Sequence, residues 1–125
     1  MQHFLDTVDT IPAGMGFSYF HPFHLCWLGG IALDDRTKEV TLDGDPVSLT
    51  PREYDILHLL MGSPGTVFSP KRIYRAVWGE EPFGVENAVA VHIRHLREKL
   101  EIDPSDPRYI KVVWGQGYKM EGGKP

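Results

Sequence analysis

The chain has 125 residues, a net charge of −4 at pH 7 and a single cysteine, and 42% of its residues are hydrophobic. This length and composition predict one domain with a hydrophobic core. The sequence contains no run of about eighteen apolar residues and no signal peptide, which argues against a membrane protein. Cys26 alone excludes an internal disulfide and is compatible with a reducing, cytoplasmic location.

The charges are distributed unevenly along the chain. Residues 1–55 contain nine acidic and three basic residues, whereas residues 56–125 contain eight acidic and ten basic residues, so the two parts carry −6 and +2. A net negative charge argues weakly against nucleic-acid binding. The basic part, however, contains the DNA-facing elements predicted below, so we expect modest, salt-sensitive binding.

We predict that residues 1–24 form an irregular extension, because Ile11–Gly16 interrupts any periodicity. Four residues of metal-ligating types lie in or beside it, namely His3, His21, His24 and Cys26. Their spacing matches no common zinc site, so we expect no metal there. No paired carboxylates, activated nucleophile or phosphate-binding glycine loop stand out, so we expect neither an enzyme nor a cofactor.

Short strands and two helices are predicted next. The strands lie at 25–28, 31–33, 40–42 and 47–49, and turn signals separate the later ones. Thr50-Pro51-Arg52-Glu53 is a capping box that begins a helix, and Gly62–Gly65 ends it.

The second helix is predicted from Lys71 to Trp78 and ends at Gly79. Lys71 and Arg72 are expected to face outward near its start, where cations oppose the helix dipole. This placement favours a phosphate contact, with ordinary solvated side chains as the alternative.

Residues 85–100 form the most informative segment. At about 100° per residue, one stripe is apolar and consists of Val89, Ile93, Leu96 and Leu100. The opposite side and its flanks present Asn87, Val91, Arg94, His95 and Arg97. An asparagine can bind adenine, an arginine can bind guanine or phosphate, and a valine can contact a thymine methyl group. The alternatives are a solvated surface helix and, for the asparagine, a helix N-cap.

A proline-containing loop, 101–107, separates this helix from a predicted β-hairpin at 109–120. The hairpin has β-branched and aromatic strands and a Gly115-Gln116-Gly117 tip. A helix followed directly by a basic, aromatic hairpin is the pattern of a recognition helix and wing. The sequence therefore predicts a winged helix-turn-helix.

The motifs His92–Leu100, Asp106-Pro107, Tyr109–Lys111 and Val113–Tyr118 resemble the effector domain of OmpR/PhoB-type response regulators, and most closely the vancomycin-resistance regulator branch. The resemblance extends from near Trp27 to about Met120. It implies an α+β fold over residues 25–121, with an N-terminal antiparallel β-sheet, three helices and a C-terminal β-hairpin wing, followed by a tail at 122–125. It also implies a transcription regulator of a two-component phosphorelay system.

The resemblance and the helix-turn-helix geometry imply a DNA surface. Helix 87–100 would enter the major groove, and the wing at 109–120 would contact the backbone or minor groove. Contacts with phosphate or by the wing would come from Lys71, Arg72, Trp78, Lys111, Trp114 and Gly115. A loop facing RNA polymerase would contain Glu80, Glu81, Pro82 and Phe83. The resemblance further implies directly repeated half-sites on double-stranded DNA and self-association there.

Two departures from the family pattern lead to further expectations. Response regulators of this kind carry a receiver domain before the effector domain, whereas only about twenty-four residues precede the resemblance here. The expectation is a stand-alone effector domain or a truncated gene product. Trp114 stands where many members have an arginine. This departure and the net acidity leave open an alternative function, a protein-interaction module with the same fold and weak DNA affinity.

Overall fold

The computed structural model describes residues 19–20, 24–84 and 86–122. Within these residues it contains a larger antiparallel sheet, three helices and a C-terminal hairpin. The strands of the sheet are β1 (Tyr19–Phe20), β2 (Leu25–Leu28), β3 (Ile31–Asp34), β4 (Glu39–Leu42) and β5 (Asp45–Val47). The helices are α1 (Pro51–Met61), α2 (Pro70–Trp78) and α3 (Glu86–Leu100), and the hairpin consists of β6 (Ile110–Val113) and β7 (Gly117–Met120).

The larger sheet is a meander in which each strand pairs with the next, in the order β1-β2-β3-β4-β5. Asp43 and Gly44 connect β4 to β5 with φ values of 51° and 87°, as a two-residue hairpin turn requires. The tight turn lets Asp45 pair with Leu42 at once. The prediction of the last strand at 47–49 was therefore wrong by two residues, because the chain needs no further residues to reverse direction.

The prediction that the whole N-terminal extension is irregular was also wrong. β1 pairs with β2 through Tyr19↔Trp27 and Phe20↔Cys26. Tyrosine and phenylalanine favour extended backbone beside an existing strand edge. The two-residue strand lacks the alternating pattern that would have identified it in the sequence.

The predicted helix starts are confirmed. Thr50 Oγ1 accepts a hydrogen bond from Glu53 N, and Glu53 Oε1 accepts one from Thr50 N at 3.0 Å, which completes the capping box of α1. At the start of α2, Ser69 Oγ accepts from Arg72 N at 3.1 Å. Gly79 ends α2 with a left-handed φ of 73°.

The core lies between the larger sheet, the three helices and the base of the hairpin. Its fully buried side chains include Leu28, Ile31, Leu57, Ile93 and Ile110. Burial of one such side chain stabilises the fold by about 1.5–3 kcal/mol. None of the helices in the described ranges is long and apolar enough to cross a membrane.

Candidate DNA-binding surface

The two sides of α3 differ as the sequence predicts. On the inner side, Val89 and Leu96 are 0% exposed, and Ile93 and Leu100 are 1% exposed. On the outer side, Asn87, Val91, Arg94 and Glu98 are exposed. Within the described part of the chain, neither Asn87 nor Arg94 forms a side-chain hydrogen bond or an ion pair. As far as the described residues are concerned, their polar groups are therefore available to a partner.

The flank of α3 that faces the hairpin contains Arg97, which the sequence analysis placed among the DNA contacts. Its Nε and Nη2 donate to the carbonyl oxygen of Ile110 at 3.1 and 2.9 Å, and its guanidinium lies over the Tyr118 ring at 5.8 Å. Arg97 therefore attaches the recognition helix to the hairpin. Its donors are partly used within the protein, which makes it a weaker candidate for DNA contact than Arg94.

The opposite flank faces α1 and its buried carboxylate. The Glu53 side chain is only 3% exposed, and its Oε1 accepts a hydrogen bond from Lys99 Nζ, while Oε2 lies 3.7 Å from His95 Nδ1. Burial alone would raise the pKa of Glu53, but the hydrogen bonds from Lys99 and from the Thr50 backbone outweigh it and lower the pKa below its ordinary value. Glu53 therefore stays ionised and fixes α3 against α1.

Trp78 joins all three helices. Its ring is stacked with Tyr74 of α2 at a centroid distance of 4.7 Å and meets the His92 ring edge-on at 5.3 Å. The Arg52 guanidinium of α1 lies 5.0 Å from the Trp78 centroid and donates to Val77 O at 2.7 Å. His92 Nδ1 lies 2.7 Å from Ala88 O. Trp78 is partly buried, so most of its ring contacts protein.

The hairpin is fastened at its base, and Trp114 and Gly115 at its tip are exposed. The Glu101 carboxylate accepts hydrogen bonds from the backbone N–H groups of Arg108, Tyr109 and Ile110. At the tip, Trp114 is 88% exposed, and Gly115 has a φ of 77°. Lys111 is partly exposed on β6. A rigid base and an exposed aromatic tip suit a wing.

Close packing fixes the wing beside the start of α2. Phe68 and Tyr118 exchange two backbone hydrogen bonds, at 2.8 and 2.9 Å. A Cβ at Gly117 would lie 2.1 Å from Phe68 O, so only glycine fits there. Arg72 is exposed and lies over the Phe68 ring at 4.4 Å. The wing and the cations at the start of α2, Arg72 and Lys71, are thereby brought to the same part of the molecule.

The loop between α2 and α3 offers a smaller exposed surface than the sequence suggested. Phe83 is 83% exposed, but Pro82 is buried and cannot contact a partner in this conformation. Glu81 Oε2 lies 3.6 Å from Arg75 Nε, and the Tyr74 hydroxyl donates to Glu80 Oε2 at 3.5 Å. Of the four predicted loop residues, Glu80, Glu81 and Phe83 are exposed.

The described residues include no group of three or more potential metal ligands. His24 and the buried Cys26 lie within the described ranges, whereas His3 and His21 lie outside them. The sequence analysis missed Glu53 and Glu101 as supports of the DNA-facing elements. The capping box identified Glu53 only as part of a helix start, and nothing local indicated that Glu101 would bind three backbone N–H groups.

Comparison with known proteins identifies the family. Residues 44–120 match the family described as transcriptional regulatory protein, C terminal. The chain is 47% identical over 90 residues to the Bacillus subtilis transcriptional regulatory protein YcbL, covering 72% of this chain and 40% of that protein. It is 43% identical over 93 residues to the regulatory protein VanR of Enterococcus faecium, covering 74% of this chain and 40% of VanR. The chain thus spans about two fifths of the length of these relatives.

Solved structures agree with this result. The RstA DNA-binding domain of Klebsiella pneumoniae, solved in complex with the RstA box, superimposes with a TM-score of 0.73 at 26% identity, over 78% of this chain and 97% of that one. The response regulator DrrB of Thermotoga maritima, an OmpR/PhoB homolog, gives a TM-score of 0.72 at 30% identity, over 79% of this chain and 45% of DrrB. The predicted winged-helix fold is confirmed, and the family is one of transcription regulators rather than an enzyme class. The chain belongs to the OmpR/PhoB-type transcriptional regulatory proteins and contains their C-terminal DNA-binding domain.

Proposed function

We propose that this domain binds double-stranded DNA at specific sequences, with the outer side of α3 in the major groove. The observation that carries the proposal is the contrast between the two sides of α3. Its apolar side is fully buried, while Asn87, Val91 and Arg94 are exposed and uncommitted. An amide and a guanidinium at these places are suited to adenine and guanine, and the valine to a thymine methyl group.

Phosphate contacts on both sides of the groove would set the position of α3. Lys71 and Arg72 lie at the start of α2, next to the Gly117 end of β7, and both are exposed. Lys111 lies on the wing itself. Cations opposite phosphates release counterions, so binding should weaken steeply with salt. We also propose that Trp78, which is only partly buried, contacts a phosphate through its indole N–H.

The wing would contact the adjacent minor groove or backbone through Trp114 and the backbone of Gly115. An exposed tryptophan provides apolar contact with sugars but no cation for the narrow groove. We therefore expect the wing to contribute affinity and little base discrimination. Most of the discrimination would come from α3.

The family also suggests protein partners on DNA. We propose that copies of the domain occupy directly repeated half-sites in contact with one another, and that the loop containing Glu80, Glu81 and Phe83 contacts RNA polymerase. The exposed Phe83 in an acidic loop supports a protein contact there. Binding stoichiometry on DNA with one and two half-sites would test the first proposal. Transcription assays with Phe83→Ala would test the second.

Selection of duplexes from a random pool tests the main proposal. We expect one enriched sequence and an affinity that falls with rising salt. Arg94→Ala should reduce preference at one base pair, whereas Lys71→Ala should weaken all duplexes alike and lower the salt slope by about one. Failure to enrich any sequence, with little salt dependence, would contradict the proposal. That outcome would favour the alternative, a protein-interaction module with this fold.

A further inference from the structure

A histidine lies between the buried carboxylate of α1 and the proposed DNA surface. His95 Nδ1 is 3.7 Å from Glu53 Oε2. The Glu53 side chain is 3% exposed, whereas the His95 side chain is 41% exposed. Nε2, on the other edge of the ring, has no hydrogen-bond partner in the described part of the chain. One edge of the imidazole therefore faces a fixed anion, and the other edge is available to a ligand.

The charged groups around His95 come from α1 and α3. From α1, Glu53 is the anion that faces the ring, and it already binds Lys99, one turn further along α3. On α3 itself, Glu98 and Arg94 are exposed neighbours on the outer side. The other packed elements direct their groups elsewhere, since Trp78 of α2 meets His92 and the hairpin binds Arg97.

Two groups other than His95 donate hydrogen bonds to the Glu53 carboxylate, both to Oε1, while Oε2 faces His95. They are the Lys99 ammonium and the Thr50 backbone N–H. The carboxylate therefore remains ionised with or without a proton on the histidine. Its charge is available to hold a protonated imidazole in one position at the edge of α3.

We propose that His95 contacts DNA as an imidazolium ion held by Glu53, so that DNA binding is accompanied by uptake of one proton. This inference rests on the proposed function. An imidazolium has an N–H on both ring nitrogens, so one can face Glu53 while the other donates to a phosphate or to guanine O6 or N7. A neutral ring has only one N–H, so its lone pair faces either the DNA acceptor or the Glu53 carboxylate, and both arrangements are repulsive. Bound DNA thus favours the protonated ring.

Glu53 acts here as a positioning residue, and the consequence is a recognition contact that depends on pH. An imidazolium, unlike a guanidinium, can lose its proton in the physiological pH range. The contact therefore strengthens as pH falls through the neutral range, whereas Arg94 contributes equally across it, because a guanidinium does not titrate.

The test measures the Kd for one duplex, taken from the random-pool selection, between about pH 6 and about pH 8 at constant ionic strength. For the unmodified domain we expect Kd to rise about three- to tenfold over this interval, because uptake of one proton changes Kd by at most tenfold per pH unit. For His95→Gln we expect no such rise. Glu53→Gln, compared only if its Tm shows that it is folded, should show a smaller rise than the unmodified domain.

His58→Gln is a matched control. His58 Nε2 also lies 3.7 Å from a carboxylate, that of Asp35, and its side chain is 40% exposed, but it lies on α1 away from the exposed side of α3. The His58→Gln variant should therefore show the same rise of Kd with pH as the unmodified domain. Equal pH dependence in the unmodified domain and His95→Gln would overturn the inference and leave the proposed function intact. Absence of salt-sensitive binding at every pH would contradict the proposed function, and this inference with it.

Discussion

Arg94 and Arg97 lie three residues apart on α3 and have different surroundings. Arg97 donates two hydrogen bonds to Ile110 O and lies over Tyr118, whereas Arg94 is exposed and has no ion pair or hydrogen bond in the described ranges. The fold uses one guanidinium and leaves the other free. The location of uncommitted charge, rather than the number of basic residues, therefore marks the proposed DNA surface.

Lys99 extends the comparison to the other flank. Lys99 lies on the flank of α3 that faces α1, and it binds the buried carboxylate of Glu53. Both flanks of α3 are thus fastened by charged groups, to α1 on one side and to the wing on the other. Because these contacts fix the orientation of α3, the free groups between them are presented in a constant position.

Among the variants that test this comparison, Glu53→Ala is expected to have the largest effect, and the effect is on stability. It removes the capping-box acceptor and leaves Lys99 without its partner beside a buried site. We expect a loss of about 2–4 kcal/mol in the free energy of unfolding, since the variant loses both the hydrogen bond from the Lys99 ammonium and half of the capping box. Urea denaturation measures it. Glu98→Ala, an exposed glutamate on the same helix, is the control and should change stability by less than about 0.5 kcal/mol.

Arg94→Ala, in contrast to Glu53→Ala, should weaken DNA binding and leave the stability of the fold unchanged. We expect the affinity for the preferred duplex to fall by about 1–3 kcal/mol and Tm to remain unchanged. Competition binding against duplexes altered at single base pairs measures the change. Arg94→Lys keeps the charge but cannot bind guanine through two N–H groups, so it should restore phosphate affinity without restoring base preference. Full restoration of preference by lysine would contradict base reading by Arg94.

Arg97→Ala should lower both stability and DNA affinity. We expect it to lower stability less than Glu53→Ala does and affinity less than Arg94→Ala does. Loss of two hydrogen bonds to Ile110 O and of the contact with Tyr118 should lower the free energy of unfolding by about 1–2 kcal/mol. The wing then loses its attachment to α3, so affinity should fall alike for all duplexes. A change in preference at a single base pair, with stability unchanged, would show instead that Arg97 reads DNA.

Local patterns were sufficient to predict the three helices and the hairpin. The capping box at Thr50, the apolar stripe through Ile93 and the glycine tip of the hairpin are all signals within a few residues, and each element lies where its signal indicates. The two-residue strand at Tyr19–Phe20 has no such signal. Its pairing depends on β2, which a local pattern cannot reveal.

Local patterns could not predict which charged side chains of α3 bind other parts of the protein and which remain exposed. Helical periodicity placed Arg97 beside Arg94, but it could not show that a carbonyl from β6 would meet one guanidinium and not the other. His95 is a similar case, because its partner Glu53 is 42 residues earlier in the chain. Contacts between elements distant in sequence decide which charges remain free, and these require the folded structure.

The smallest expected effect on stability concerns Asp35, whose ion pair with Lys38 is exposed. The hydrogen bond from Lys38 is the main reason that the pKa of Asp35 is lowered from its ordinary value of 3.8, with further contributions from Tyr54 and His58. A lowered pKa means that the carboxylate stabilises the fold fully above the unfolded-state value and loses this contribution as pH falls through the folded-state value. The same sign applies to Glu53.

Asp35→Asn should therefore remove only a small part of the acid destabilisation. The Asp35 side chain is 41% exposed, so solvent screens its pairs and we expect an effect below about 1 kcal/mol. Urea midpoints measured from about pH 6 down to about pH 3 should differ little between Asp35→Asn and the unmodified domain, because the buried Glu53 accounts for more of the decline. If Asp35→Asn removed most of the decline, the exposed pairs of the sheet, and not the buried carboxylate beneath α3, would control acid stability.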